Sequence, residues 1–119
     1  SRIMLAIKMT LQSKDIVSTL IFDEIDSGIS GATAERIGET FEKLAKSHQI
    51  ICITHLSQIA GKGDTHFKVS KNIKGNRIVV DVDKLTKSDR IGEIATLISG
   101  RKITESSRKQ AEELLESNG

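Results

Sequence analysis

Proline, tryptophan and tyrosine are absent from this 119-residue chain, and Phe22, Phe41 and Phe67 are its only aromatic residues. Any core must therefore be assembled from Ile, Leu, Val and Ala. The single cysteine, Cys52, excludes an internal disulfide and fits a reduced, cytoplasmic compartment. Lying inside an apolar run, it reads as a small core residue. No apolar run approaches the ~20 residues of a membrane span, and no signal-peptide pattern opens the chain. A net charge of +2, with charged residues at 29%, leaves no strongly basic face, so a DNA partner is not legible from charge. Internal repeats and low-complexity tracts are also missing. The length suits about one small domain, which is short for a complete nucleotide-binding enzyme. The first residue is not Met, and Ser1-Arg2 stand directly before a helical pattern, so the chain reads as a piece of something longer.

What is present is organised around Thr19-Leu20-Ile21-Phe22-Asp23-Glu24, an apolar run ending in two carboxylates. Such a run, bounded by charge, predicts a strand over 16–22 buried on both faces, as in a parallel sheet covered by helices. Ligands of open α/β sheets bind at the carboxyl ends of the strands, which is where Asp23 and Glu24 stand. Side chains alternate along a strand, so the two acids point to opposite sides and should differ in role.

Upstream, the apolar residues of 3–11 cover most of a helical surface and predict a largely buried helix. Its amino end would offer N–H groups to an anion. After the first strand, Asp26-Ser27-Gly28-Ile29-Ser30-Gly31 is a loop of small residues, with Ser30 as N-cap of a helix over 32–46. In that helix Ala34, Ile37, Phe41 and Leu44 form one apolar stripe. Ile50-Ile51-Cys52-Ile53 gives a second buried strand, followed at once by Thr54-His55. Strand, helix and strand make a βαβ unit whose right-handed crossover sets the strands parallel. Asp23, Glu24 and His55 then share one sheet edge.

From Phe67 the period changes to two. Phe67 and Val69, a turn at Lys74-Gly75-Asn76, then Ile78, Val80 and Val82 predict an antiparallel hairpin with one wet face at the sheet margin. Two amphipathic helices close the chain. The first carries Ile91, Ile94, Ala95 and Ile98 and stops at Gly100; the second starts near Thr104 and buries Ala111, Leu114 and Leu115. His66 is expected on the hairpin's polar face and His48 at a helix end, neither with an evident partner.

A carboxylate ending a buried strand, an adjacent acid and a His ending the next strand suit nucleotide hydrolysis. Asp23 would hold Mg²⁺, which takes few carboxylates and keeps several waters. Glu24 would polarise the attacking water. His55 would hydrogen-bond the terminal phosphate, in a reaction run mostly by positioning and charge neutralisation.

These residues resemble known motifs. Leu20-Ile21-Phe22-Asp23-Glu24 looks like the Walker B motif of ABC-class ATPases, Ser27-Gly28-Ile29-Ser30 falls where their D-loop lies, and Thr54-His55 matches the H-loop. Ser1-Arg2 looks like the end of an ABC signature motif. Asp23 through Gly31 together with Thr54-His55-Leu56-Ser57-Gln58-Ile59-Ala60 most resembles the RecN family, bacterial double-strand-break repair ATPases related to the SMC proteins. The resemblance runs across essentially the whole chain. Transporter-type members have Pro where Ile25 stands and Asp where Ser30 stands, which separates this chain from them.

The resemblance implies a partial P-loop NTPase lobe: a mostly parallel α/β sheet flanked by helices, with a marginal β-hairpin and two carboxyl-terminal helices. No Gly-Lys-Ser/Thr phosphate loop occurs in the sequence. Residues 1–119 would then be the carboxyl-terminal segment of a split ATPase head, whose Walker A loop lies upstream beyond a long coiled coil. By family analogy ATP with Mg²⁺ is sandwiched between two heads of a homodimer. Asp23 (metal) and Glu24 and His55 (catalysis) would act on one nucleotide, and Ser1, Ser27, Gly28 and Ser30 would face the partner's. DNA would be met through the full-length protein, at the bacterial nucleoid, with no membrane. The chain by itself is expected to hydrolyse no ATP.

Two other readings carry different chemistry. In a Toprim-like nuclease, Asp23, Glu24 and Asp26 would bind Mg²⁺, but the second acidic pair expected after another strand does not follow Ile53. In a non-catalytic docking module the acids would only cap the following helix.

Overall fold

The computed structural model describes residues 18–23 and 28–116. The helix expected over 3–11, with Ser1, lies outside them, as do Glu24 and Ser27.

Strand β1 (Thr19–Asp23) and strand β2 (Gln49–Ile53) pair in parallel, with Thr19 opposite Gln49 and Asp23 opposite Ile53. Helix α1 (Gly31–Leu44) crosses between them. The expected βαβ unit is therefore present, its first strand starting at Thr19 and its helix ending two residues before Lys46. Beyond Leu44 the chain tightens into short-range turns, Lys46 N–H to the Lys43 carbonyl and Ser47 N–H to the Leu44 carbonyl.

The stripe read from the helix is the one that packs. Ala34, Ile37, Phe41 and Leu44 meet Leu20 and Phe22 of β1, with Ile59 below and Cys52 half-buried at the margin. The Phe22 and Phe41 rings lie 4.7 Å apart at 37°. His48 does stand just past a helix end, and it is buried there with its Nδ1 2.8 Å from the Ser47 hydroxyl.

Two expectations need correction. Both strands were expected to be buried on both faces, but Leu20 and Phe22 turn inward while Ile21 remains 68% exposed and Ile51 and Ile53 stay open beside it. α1 covers one face of a two-stranded ribbon, and no described element lies over the other. The hairpin, β3 (Phe67–Lys74) and β4 (Arg77–Lys84), was expected at the margin of the same sheet. It forms a separate antiparallel pair, turning through Gly75 at φ +63 with Ile73 opposite Ile78. The sheet among the described residues is thus parallel only across β1 and β2.

The hairpin does have the expected two unlike faces, but the apolar one is open. Phe67, Val69, Ile73, Ile78, Val80 and Val82 all lie on the face at odd register positions before the turn and even ones after it, and all are exposed. On the opposite face, Asn72 donates to Asp81 at 2.8 Å. From that face, too, the Lys68 ammonium reaches Glu93 at 2.8 Å.

Helices α3 (Lys87–Ser99) and α4 (Glu105–Glu116) form a second apolar cluster of Ile94, Ala95 and Ala111, flanked by Ile91, Ile98, Leu114 and Leu115. Every residue expected to line these helices is in it. Thr86 caps α3 by accepting the Asp89 N–H at 3.1 Å, and Gly100 ends it at φ +80. α4 opens with a reciprocal cap: the Ser107 N–H donates to the Thr104 hydroxyl at 3.0 Å, and the Thr104 N–H donates to the Ser107 hydroxyl at 2.9 Å.

Candidate functional site at the carboxyl ends of the parallel strands

The parallel register decides the site. Asp23 closes β1 opposite Ile53, and His55 follows two residues later, so the two strands deliver both side chains to one edge. Alternation places Asp23 on the open face with Ile21, away from α1. Both Asp23 and His55 are solvent-exposed. Thr54 shapes the exit from β2: its hydroxyl accepts the Leu56 N–H at 3.0 Å and turns the chain into α2 (Ser57–Ala60), a single helical turn.

The second group of expected residues lies in the approach to α1. Gly28 has φ +70, a left-handed conformation that glycine adopts without strain, and a Cβ built there would meet nothing within 4 Å. Ser30 occupies the N-cap position as expected, and its carbonyl accepts the Ala34 N–H at 2.9 Å. Its hydroxyl, however, lies 3.2 Å from the Thr33 hydroxyl and does not cap a backbone N–H. Glu24, Ser27 and Ser1 are not among the described residues, so the structure brings together Asp23 and His55 on one side and Gly28 and Ser30 on the other.

Around His55 the surface is concave. A groove of about 500 Å³ runs from His55 and Gln58 to Ile98 of α3 and to Gln110 and Leu114 of α4. No group of three or more His, Cys, Asp or Glu among the described residues is arranged to hold a metal ion. Asp23, the exposed carboxylate that ends β1, is an oxygen ligand of the type that hard cations accept.

Sequence reasoning missed Arg90. From α3 its Nη2 donates to the carbonyls of Ala60 at 3.1 Å and Gly63 at 2.6 Å, tying down the segment that follows His55. Burial lowers the Arg90 pKa below its ordinary value, with Asp64 opposing. His66 was expected on a wet face. It stands instead half-buried beside Arg90 and Glu93; burial and then the Arg90 charge lower its pKa, against the pull of Glu93. The buried Nδ1 of His66 and Nε of Arg90 have no hydrogen-bond partner. Only tertiary packing creates these environments.

No family model matches the chain. Among curated proteins it is 41% identical over 115 residues to the DNA repair protein RecN of Bacillus subtilis strain 168, and 46% identical over the same length to RecN of Rickettsia bellii. Each alignment takes in 97% of this chain. The chain belongs to the RecN family and corresponds to its carboxyl-terminal fifth. It spans 20% of the Bacillus protein and 21% of the Rickettsia protein. RecN of Halalkalibacterium halodurans agrees, at 40% identity over 98% of the chain. In three dimensions the RecN-family chain resembles a solved structure from work on ATP-driven dimerization and DNA-stimulated activation of SMC ATPases. That match has a TM-score of 0.65 at 22% identity and covers 83% of this chain and 58% of the other. The chain therefore has a mixed α/β fold similar to that of the SMC ATPase structure. Among the described residues no helix is long and apolar enough to cross a membrane.

Proposed function

We propose that this chain is the carboxyl-terminal segment of a split ATPase head in a RecN-like protein of DNA double-strand-break repair, acting in the cytoplasm. The observation that carries the reading is identity of 40% or more to RecN across nearly the whole chain, joined to a fold that sets Asp23 and His55 on one sheet edge.

Mg-ATP supplies the phosphoryl group to be cleaved and the cation that neutralises its charge. In this reading Asp23 holds the cation at the end of β1, directly or through water. Glu24 orients the attacking water and takes up its proton. His55 donates a hydrogen bond to the terminal phosphate, and its exposed position leaves it accessible from the groove side. Gly28 and Ser30, with Ser27 and Ser1, face the nucleotide of a second head, so that ATP closes a homodimer and hydrolysis opens it. The chain lacks a Gly-Lys-Ser/Thr loop, so the upstream Walker A segment completes the phosphate cradle. DNA is engaged by the assembled protein.

The test compares Mg-ATP binding and hydrolysis by the 119-residue chain alone, by the full-length protein that carries it, and by full-length Asp23→Ala. Turnover is expected only in native full-length protein, with the Asp23→Ala loss accompanied by weaker Mg²⁺ dependence. Ready turnover by the isolated chain, or an active Asp23→Ala protein, would overturn the reading. Metal-dependent nicking of plasmid DNA that vanishes in Asp23→Ala would point instead to the nuclease chemistry.

A further inference from the structure

The short turn α2 carries His55 at its amino side, and a residue inside α1 fixes where that turn sits. Gly38 is buried in the middle of α1, on the same face as Phe41. A Cβ built there would stand 3.2 Å from the backbone carbonyl oxygen of Gln58 and 3.0 Å from Cγ of Lys62. The Lys62 stem continues along α1, and its ammonium reaches Glu42, one turn beyond Gly38, at 3.6 Å. The opposite side of the segment is equally close. A Cβ at Gly61 would meet Cβ of Leu114 on α4 at 3.3 Å, while Arg90 holds the Ala60 and Gly63 carbonyls from α3. Residues 57–63 are thus seated between α1 and the α3–α4 pair, with no slack toward either.

A glycine in a helix interior is disfavoured relative to alanine. At position 38 that cost has a structural counterpart, because only the absence of a side chain lets the Gln58 carbonyl reach α1. The carbonyl is backbone and cannot rotate away, so a methyl at 38 must push α2 outward by a few tenths of an ångström.

We propose that Gly38 is a positioning residue for His55: it sets the depth at which α2 seats on α1, and through α2 the placement of His55 at the strand edge. The inference rests on the reading of His55 as the group that meets the terminal phosphate of ATP. Gly38 touches no nucleotide and acts only through the Gln58 backbone.

The test uses full-length protein carrying this segment, native and Gly38→Ala, with Glu24→Gln as the control on the ATPase reading itself. Turnover number and ATP affinity are measured separately. The imidazole resonance of His55 is followed in [13C]histidine-labelled protein and assigned by its loss in His55→Gln. Displacing a catalytic group by a fraction of an ångström is expected to slow turnover about 10-fold in Gly38→Ala. ATP affinity should stay within about twofold of native, since the Walker A cradle is elsewhere, and the His55 resonance should move. Native turnover in Gly38→Ala beside an inactive Glu24→Gln overturns the inference and leaves the ATPase reading standing. An active Glu24→Gln removes the reading on which the inference rests. If Gly38→Ala does not fold, Gly38→Ala/Lys62→Ala relieves the 3.0 Å contact and keeps the one on Gln58. Slowed turnover with a moved His55 resonance then supports the inference, and native turnover overturns it.

Discussion

Truncating Phe41 to alanine tests whether the packing that holds β1, and with it Asp23, is the one described. Phe41 is 6% exposed, with its ring 4.7 Å from that of Phe22, so the substitution empties the centre of the cluster between α1 and the β1–β2 ribbon. Loss of transfer free energy plus the cavity left by a phenyl ring is about 3–5 kcal/mol. The ribbon and helix are fixed by their own hydrogen bonds, so little collapse is available to reduce that figure. A small domain has only about 5–15 kcal/mol in total, so roughly a fifth or more of the stability is at stake. Phe41→Leu keeps most of the volume and should cost less than about 1.5 kcal/mol. With no Trp or Tyr in the chain, urea unfolding is best followed by far-ultraviolet circular dichroism. At a slope of about 1–2 kcal/mol per molar urea, the alanine variant should lose about 1.5 M or more in midpoint. A double-mutant cycle with Phe22→Leu should return a coupling of about 0.5–1.5 kcal/mol for the ring pair. If Phe41→Ala falls within about 1 kcal/mol of Phe41→Leu, the core between α1 and β1 is not the stabilising cluster.

Thr86→Ala removes the side-chain acceptor of the Asp89 N–H and should cost about 1 kcal/mol, while Thr86→Ser should be nearly neutral; equal thermal midpoints for the two variants would refute the cap. His66 is held neutral by burial and by the Arg90 charge, with Glu93 on the opposing side. The unfolded chain therefore binds more protons as pH falls below the ordinary histidine value of about 6.5, and stability should drop with acidification from there. Urea midpoints measured from pH 7.5 to 5 should decline in native protein and decline less in His66→Asn; identical profiles would contradict the assignment.

The elements legible in the sequence were those whose signal is local. Leu20 to Phe22 and Ile50 to Ile53 are apolar runs too short for helices, and the stripe Ala34, Ile37, Phe41, Leu44 recurs at helical spacing, so the parallel βαβ unit and its shared edge followed. Gly100 and Thr104 marked helix ends that the structure places at the same residues. What covers a face is not a local property. Ile21 and Ile51 continue apolar runs, yet they lie open because α1 reaches one side of the ribbon only. The hairpin shows the same gap: alternation gave its two faces, but not that the one with Ile73, 80% exposed, would be the wet one. α2, at four residues, is shorter than the period that would reveal it. Gln58 and Lys62 follow Gly38 by 20 and 24 residues in sequence, so their contact with it, like the Arg90 bonds to Ala60 and Gly63, belongs to the packing of helices and left no mark in composition or spacing.

As proposed, this segment works on ATP through Asp23, which ends β1, and Glu24, the next residue in sequence. The most direct measurement is steady-state ATP hydrolysis by the full-length protein, native against Glu24→Gln, with nucleotide binding measured in parallel. Removing the group that accepts the water's proton is expected to lower turnover by about 100-fold or more while ATP still binds. Hydrolysis at the native rate in Glu24→Gln would contradict that role for Glu24, leaving the shared fold without the chemistry assigned to it.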